Sequence, residues 1–169
     1  MKRLLIMLVI LVSALVSGQA QEKLKIGEVK NGKLVITNQD GLKAFFLNSL
    51  EKSGTLGKDF QVNASPEGDR YFVYYPVTGN NGKVNNIGVM LVKIKNDAFI
   101  VKGSHETDEA SPGGGGSYEV QCVGVDCSMC VPKIKWISGD WLPYVECVCN
   151  QAGGGTCNMI TKIIIHIDI

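Results

Sequence analysis

Sulfur chemistry is the most prominent possibility in this sequence, because all six cysteines of its 169 residues lie between positions 122 and 157. Their order is C-x4-C-x2-C-x16-C-x-C-x7-C. Clustering this dense is typical of a segment too small to be held together by burial alone, so crosslinks must supply the missing stability. The six residues are Cys122, Cys127, Cys130, Cys147, Cys149 and Cys157.

Three disulfides are the favoured use of these cysteines. An even count in a small exported protein is typical of a disulfide framework. Each bridge over a loop of this length contributes on the order of 3 to 4 kcal/mol. Cys147 and Cys149 stand two residues apart on a predicted strand and therefore share a face. We expect them to bond two separate partners, and the pairing otherwise stays open.

A metal centre is the main alternative to disulfides. The spacing C-x2-C-x16-C-x-C is close to that of tetrathiolate zinc sites, and C-x4-C-x2-C followed by a fourth cysteine matches the start of the plant-type ferredoxin order. An oxidising compartment competes with either site for the thiolates. The zinc set would be Cys127, Cys130, Cys147 and Cys149, and the iron–sulfur set would have Cys122 in place of Cys149.

A redox pair at Cys127-Ser-Met-Cys130 is a further alternative. Such pairs lie at a helix N-terminus, which lowers the thiol pKa, but here Pro132 and a Lys/Ile alternation predict a strand. A Cys–His nucleophile would need His105 or His166, and no GxSxG, HExxH or phosphate-loop motif occurs. We therefore predict no catalytic residues.

The first twenty residues have the features of an export signal, namely a basic start, an apolar run and small residues before position 21. The apolar run Leu4–Val16 would span only about 20 Å as a helix, less than the roughly 30 Å of a bilayer core. Cleavage after Ala20 is therefore favoured over a retained anchor. We expect a secreted or periplasmic protein with no membrane segment after cleavage.

Charge argues against a polyanionic partner. Removal of the signal leaves fifteen Lys and Arg against sixteen Asp and Glu, with Arg70 as the single arginine. Bidentate contacts to phosphates and base edges depend on arginine, so we expect no nucleic-acid partner. The expected partner is an unidentified protein or small molecule, and no cofactor is expected unless the cysteines bind zinc.

The front of the chain, residues 21–103, predicts an α+β domain with an antiparallel sheet and one amphipathic helix. Asn31-Gly32 is a tight-turn dipeptide between two short extended runs. A helix capped by Asn38 or Asp40 follows, with Gly54 as its predicted stop. Its apolar residues recur at helical spacing and predict a core-facing stripe of Leu42, Phe45, Phe46 and Leu50.

Four further strands are predicted at residues 59–63, 71–77, 88–95 and 98–102, with a polar loop over 78–86. In the second of them Tyr71, Val73 and Tyr75 share one face, while Phe72 and Tyr74 share the other. One face must cover the helix. The other is either a binding surface or is shielded by the rest of the chain, and shielding is favoured.

Residues 104–117 predict an acidic, glycine-rich linker, since a run of glycines loses much backbone entropy on ordering. Residues 118–169 predict a small cysteine-rich β module. Its final strand, 162–169, has isoleucines on one face and His166 and Asp168 on the other. Left exposed, such a strand would promote aggregation, so we expect it to pair with the sheet.

The stretch from Glu119 to Cys130, with Cys147-Val-Cys149 and Cys157-Asn158 after it, resembles a group of small exported bacterial proteins. The resemblance covers residues 118–160 and implies a cysteine-free β-rich front joined to a C-terminal cysteine module. It implies no activity. Where that group is expected to have a histidine after the final Cys-Asn, this chain has Met159. The sequence as a whole predicts an exported, disulfide-stabilised binding or structural module; a thiol-based metal or redox protein is the alternative.

Overall fold

The computed structural model describes residues 23–50, 54–101 and 117–163. The predicted signal at 1–20 and residues 104–116 of the predicted linker lie outside these ranges. His105, His166 and Asp168 lie outside them too.

The described residues form eleven strands and one helix. The helix is α1 (Gln39–Ser49). In chain order the strands are β1 (Lys23–Lys30), β2 (Lys33–Ile36), β3 (Gly54–Leu56), β4 (Gln61–Ala64), β5 (Arg70–Gly79), β6 (Val84–Ile94), β7 (Asp97–Val101), β8 (Tyr118–Gly124), β9 (Cys130–Lys135), β10 (Tyr144–Cys149) and β11 (Cys157–Ile163).

Nine of these strands form one antiparallel sheet, and β9 and β10 form a separate hairpin. The long strand β6 lies at the centre of the sheet. Its one edge pairs with β5, which in turn pairs with β3 and β4. Along its other edge β6 pairs with β8 at residues 86–89 and with β7 at residues 92–94. Strand β7 pairs with β1, and β1 pairs with β2. A mainly antiparallel sheet with a single short helix confirms the predicted α+β class.

Helix α1 covers one face of the sheet, as its apolar stripe predicts. Asn38 begins the helix, because its Oδ1 accepts a hydrogen bond of 2.9 Å from the Gly41 N–H. Leu42 and Phe46 are fully buried, and they pack in one cluster with Tyr71, Val73, Tyr75, Ile87 and Val89 of the sheet. The helix stripe is therefore core, as expected.

The hairpin β9–β10 covers the opposite face. Phe72 and Met90 are fully buried there and cluster with Tyr118, Val120, Cys122, Cys127, Cys130 and Val145. Ile134 and Trp136 of the hairpin pack against the same cluster. The prediction that the rest of the chain covers the second aromatic face is confirmed, and the covering element is the cysteine-rich segment.

Three local predictions are wrong. Gly54 does not end the helix, which stops at Ser49, and it instead begins the unpredicted strand β3. The polar loop is confined to residues 80–83, because β5 and β6 continue pairing to Thr78 and Val84. The predicted strands 88–95 and 98–102 place the turn between them at Asn96-Asp97, but Ile94 pairs with Asp97, so the turn is Lys95-Asn96, and Lys95 has a φ of 59°. At the first hairpin, Asn31 and Gly32 both have positive φ, as predicted.

The cysteine-rich segment shares the sheet of the front segment. Strand β8 pairs with β6 over Asn86–Val89, and β11 pairs with β8 along its whole length. Of the predicted final strand 162–169, Lys162 and Ile163 pair with β8 as the end of β11, and residues 164–169 lie outside the described residues. Ser117, directly before β8, is fully buried and exchanges two hydrogen bonds with Val101, so the chain returns beside the end of β7. The proposed boundaries at 103 and 118 remain a prediction about folding units.

Candidate functional site: a disulfide cluster and an amide-lined cleft

All six cysteines are paired in three disulfides: Cys122–Cys147, Cys127–Cys149 and Cys130–Cys157. Cys147 and Cys149 bond separate partners, as their shared strand face predicts. The first bridge joins β8 to β10 and the third joins β9 to β11, so both tie the hairpin to the sheet. The second joins the loop after β8 to the end of β10.

This pairing does not favour the metal alternative. Cys127 and Cys149 of the proposed zinc set are bonded to each other, and a metal needs free thiolates. The sulfur atoms that do lie within 4.8 Å of one another belong to Cys127, Cys130 and Cys157, which is neither proposed set. Among the described residues no cysteine is free. The predicted redox pair is also divided, because Cys127 and Cys130 belong to different bridges.

The turn end of the hairpin is held by Arg70. Its guanidinium carbon lies 5.4 Å from the ring centroids of both Trp136 and Trp141. Nη1 donates to the backbone oxygens of Asp140 and Trp141, at 2.5 and 2.7 Å. Nε donates to Asp69 at 3.0 Å. Because the side chain is 7% exposed, this arginine serves internal contacts and not an external anion.

The charge of Asp69 complements that arginine. Burial alone would raise the pKa of the Asp69 carboxyl, but hydrogen bonds from Ser65 and Arg70 outweigh it and lower that pKa. The carboxylate therefore stays ionised beside the guanidinium. Two further hydrogen bonds join the turn end of the hairpin to the sheet. The Trp136 indole N–H donates to Asn63 Oδ1 at 2.6 Å, and the Tyr118 hydroxyl donates to the Pro143 backbone oxygen at 3.1 Å.

A cleft of about 300 Å³ opens on the helix-covered face, beyond the C-terminal end of α1. Five of its lining residues carry an amide side chain: Asn80, Asn81, Asn85, Asn86 and Gln121. The amide of Asn86 is on the hairpin face, where its Nδ2 donates to the Cys130 backbone oxygen at 2.5 Å, so four amides face the cleft. Its apolar lining is supplied by Leu50, Val77, Ile87 and Val123. None of the described residues that line the cleft carries a charge.

Hydrogen bonds fix the orientation of the central amides. Asn85 Oδ1 accepts from the Gly124 N–H at 2.9 Å, which leaves its Nδ2 as a donor. Gln121 Nε2 donates to Glu119 Oε1 at 2.8 Å, which leaves its Oε1 as an acceptor. Glu119 is 2% exposed, so a buried carboxylate holds the glutamine in place. The cleft thus presents a donor on β6, Asn85 Nδ2, and an acceptor on β8, Gln121 Oε1.

The disulfide region supports this cleft directly. A Cβ at Gly124 would lie 2.2 Å from the Cys127 backbone oxygen, so only glycine fits where the chain turns toward that cysteine. The same Gly124 orients Asn85. In the following loop the Val125 oxygen accepts from Lys83, and Val84 donates to Ser128 at 2.8 Å. The bridge Cys127–Cys149 therefore anchors the loop on which one wall of the cleft depends.

The cleft was not predicted from the sequence, because residues 78–86 were predicted to be a loop. Asparagine is depleted in strands, so Asn85-Asn86 favoured that interpretation. A signal was nonetheless present. A hairpin with strands of equal length on either side of Asn81-Gly82 would place Asn85 and Asn86 inside β6. Amide side chains inside a strand are uncommon enough to suggest a polar site.

No protein family, curated protein or solved structure matches this chain. In the described part of the chain, no helix is both long and apolar enough to cross a membrane.

Proposed function

We propose that this chain is an exported binding protein whose disulfide-fixed sheet carries its ligand site in the amide-lined cleft. The observation that carries the proposal is the cleft itself: about 300 Å³, with the side-chain amides of Asn80, Asn81, Asn85 and Gln121 over an apolar floor. Ligand sites are typically concave, largely apolar and equipped with a few oriented polar groups. Location in an oxidising, extracytoplasmic space accords with the three disulfides and with the sequence of residues 1–20.

The proposal assigns the sulfur atoms a structural role. The bridges hold the hairpin on one face and the loop around Gly124 at the edge of the other, so they organise the cleft without lying in it. A binding site built on paired strands is held more rigidly than one built on loops alone. No step of chemistry is assigned to the bound molecule.

The first test maps the cleft with small probes on the oxidised mature protein. Acetamide and isopropanol are added to labelled protein, and intermolecular NOEs to side-chain amide and methyl protons are measured. We expect the NOEs to concentrate at Asn85, Gln121 and Val123. Acetate and methylammonium are the matched charged probes, for which the uncharged lining predicts no such concentration.

Two variants locate the signal. Asn80→Ala removes an exposed amide from the cleft rim, and Asn96→Ala removes an exposed turn amide elsewhere as its control. Acetamide NOEs should weaken in the first variant and persist in the second. NOEs spread evenly over the surface, or concentrated away from the cleft, would contradict the proposal.

A further inference from the structure

We infer that the ligand of the cleft is a sugar, bound as an uncharged pyranose ring. This inference rests on the proposed function and names the chemical class that the lining selects. A sugar hydroxyl is both a donor and an acceptor, and the cleft offers both partners: the free Nδ2 of Asn85 and the free Oε1 of Gln121.

Charged ligands do not fit this lining. A carboxylate or phosphate presents only acceptors, and it would face the Gln121 oxygen with no cation among the described lining residues. An ammonium presents only donors and would face Asn85 Nδ2. The second amide nitrogen at the rim, Asn81 Nδ2, is likewise left as a donor because its Oδ1 accepts from the Lys83 N–H at 3.1 Å.

The apolar part of the lining would contact the C–H groups of a sugar ring mainly through Val123, because Val77 and Ile87 are 3% and 0% exposed and form the buried base of the cleft. Val77 lies directly opposite Asn85 in the pairing of β5 with β6, and Ile87 lies opposite Gln121 in the pairing of β6 with β8. Apolar and amide side chains therefore alternate within the same area of one sheet face. A pyranose has the same alternation, with C–H groups between its hydroxyls.

Peptides are disfavoured by the strand pairing around the cleft. An extended peptide binds best by adding to an unpaired strand edge. Here the strands below the cleft are paired on both sides, β5 with β3 and β6, and β8 with β6 and β11. Among the described residues, these strands leave no unpaired backbone edge at the cleft for a peptide to join, so the cleft favours a compact ring over a chain.

The test titrates labelled, oxidised mature protein with methyl β-glucopyranoside, methyl α-mannopyranoside and N-acetylglucosamine while amide and methyl shifts are followed. At least one glycoside should shift the side-chain NH2 signals of Asn85 and Gln121 saturably. Acetyl-trialanine amide is the peptide arm and glucuronate the charged arm. Both should bind at least about tenfold more weakly than the best glycoside, as expected when buried polar partners go unmatched.

Variants then separate specific binding from general effects. Gln121→Leu should weaken glycoside binding at least about tenfold, with Gln61→Leu, an exposed amide on β4, as the matched control. Because Gln121→Leu also removes the donor to buried Glu119, Asn80→Ala with its control Asn96→Ala repeats the comparison without disturbing that carboxylate.

The outcomes distinguish the two proposals. If acetamide maps to the cleft but no glycoside shifts it, or if the peptide or glucuronate binds as well as the glycosides, the sugar inference is wrong and the binding site stands. If neither probes nor glycosides act at the cleft, both are wrong. A glycoside that binds equally to Gln121→Leu, Asn80→Ala and wild type also overturns the sugar inference.

Discussion

The two faces of the central sheet are covered by different means. On one face, α1 packs an apolar stripe onto Tyr75 and its neighbours with no covalent link to the sheet. On the other, the β9–β10 hairpin is bonded to strands β8 and β11 through two disulfides. A two-stranded hairpin is marginal on its own, whereas a helix with a complete stripe gains its stability from packing. The crosslinks therefore occur on the face where apolar burial contributes least to stability.

Reduction of the disulfides should have the largest effect on stability. The hairpin face should lose its structure before the helix face does. Each bridge contributes on the order of 3 to 4 kcal/mol in the chain-entropy account, so loss of all three is comparable to the whole stability of a small domain. Hydrogen exchange in the presence of reductant should show protection lost in β9 and β10 before α1 and β5. Simultaneous loss on both faces would contradict a hairpin held mainly by sulfur.

Phe46→Ala tests the helix face. Phe46 is fully buried against Tyr75, with ring centroids 5.5 Å apart, and truncation of such a residue costs about 3 to 5 kcal/mol. Phe45→Ala is the matched control, because Phe45 is only partly buried, and it should cost less than half as much. Urea unfolding measures both, and equal costs would show that the stripe is misplaced.

Arg70→Lys tests the closed end of the hairpin with the charge retained. Lysine cannot contact the Asp140 and Trp141 oxygens, Asp69 and both indole rings together, so we expect a loss of about 1 to 3 kcal/mol. Tryptophan fluorescence should report the change, because both indoles flank the guanidinium. Lys95→Arg, an exposed exchange of the reverse kind, is the control. An unfolding midpoint unchanged from wild type would mean that the disulfides alone hold the hairpin against the sheet.

The smallest predicted effect is a pH dependence on the hairpin face. Burial raises the pKa of the Tyr118 hydroxyl above its ordinary value of 10.0. The folded state therefore holds this proton more tightly than the unfolded state, so the contribution is complete below pH 10 and is lost as pH rises beyond it. Tyr118→Phe should lower stability by about 1 kcal/mol at neutral pH but reduce the further loss above about pH 10.

Tyr71 and Tyr75 provide the comparison for that measurement, since burial raises the pKa of both on the helix face. Their contribution remains in Tyr118→Phe. Burial also raises the pKa of Tyr74, which packs on the hairpin face. A variant with the same alkaline loss as wild type would assign the alkaline sensitivity to Tyr71, Tyr74 and Tyr75 and not to Tyr118.

The helix and its apolar stripe could be predicted almost completely, because their signals are local: the cap at Asn38 and the spacing of Leu42 and Phe46 lie within a few turns. The hairpin face could be predicted only in outline. Aromatic residues on both sides of β5 imply two covers, and the shared face of Cys147 and Cys149 implies separate partners. The pairing itself depends on how β9 and β10 align with β8 and β11, which no local pattern encodes.

The cleft could not be predicted for a related reason. Asn85 and Gln121 are distant in sequence, and they face one region only because β6 lies between β5 and β8. Their orientation depends on Gly124 and Glu119, which belong to the segment that the sequence divides from the front domain. Neighbourhood across a sheet, unlike periodicity along a strand, is a property of the folded chain.

Disulfide mapping shows directly whether sulfur bonds tie the hairpin to the sheet. The unreduced mature protein is digested at acidic pH to prevent exchange, and the linked peptides are identified by mass spectrometry. We expect three linkages, Cys122–Cys147, Cys127–Cys149 and Cys130–Cys157, and no alkylatable thiol. A linkage between Cys127 and Cys130, or a free thiol at any of the six positions, would contradict it.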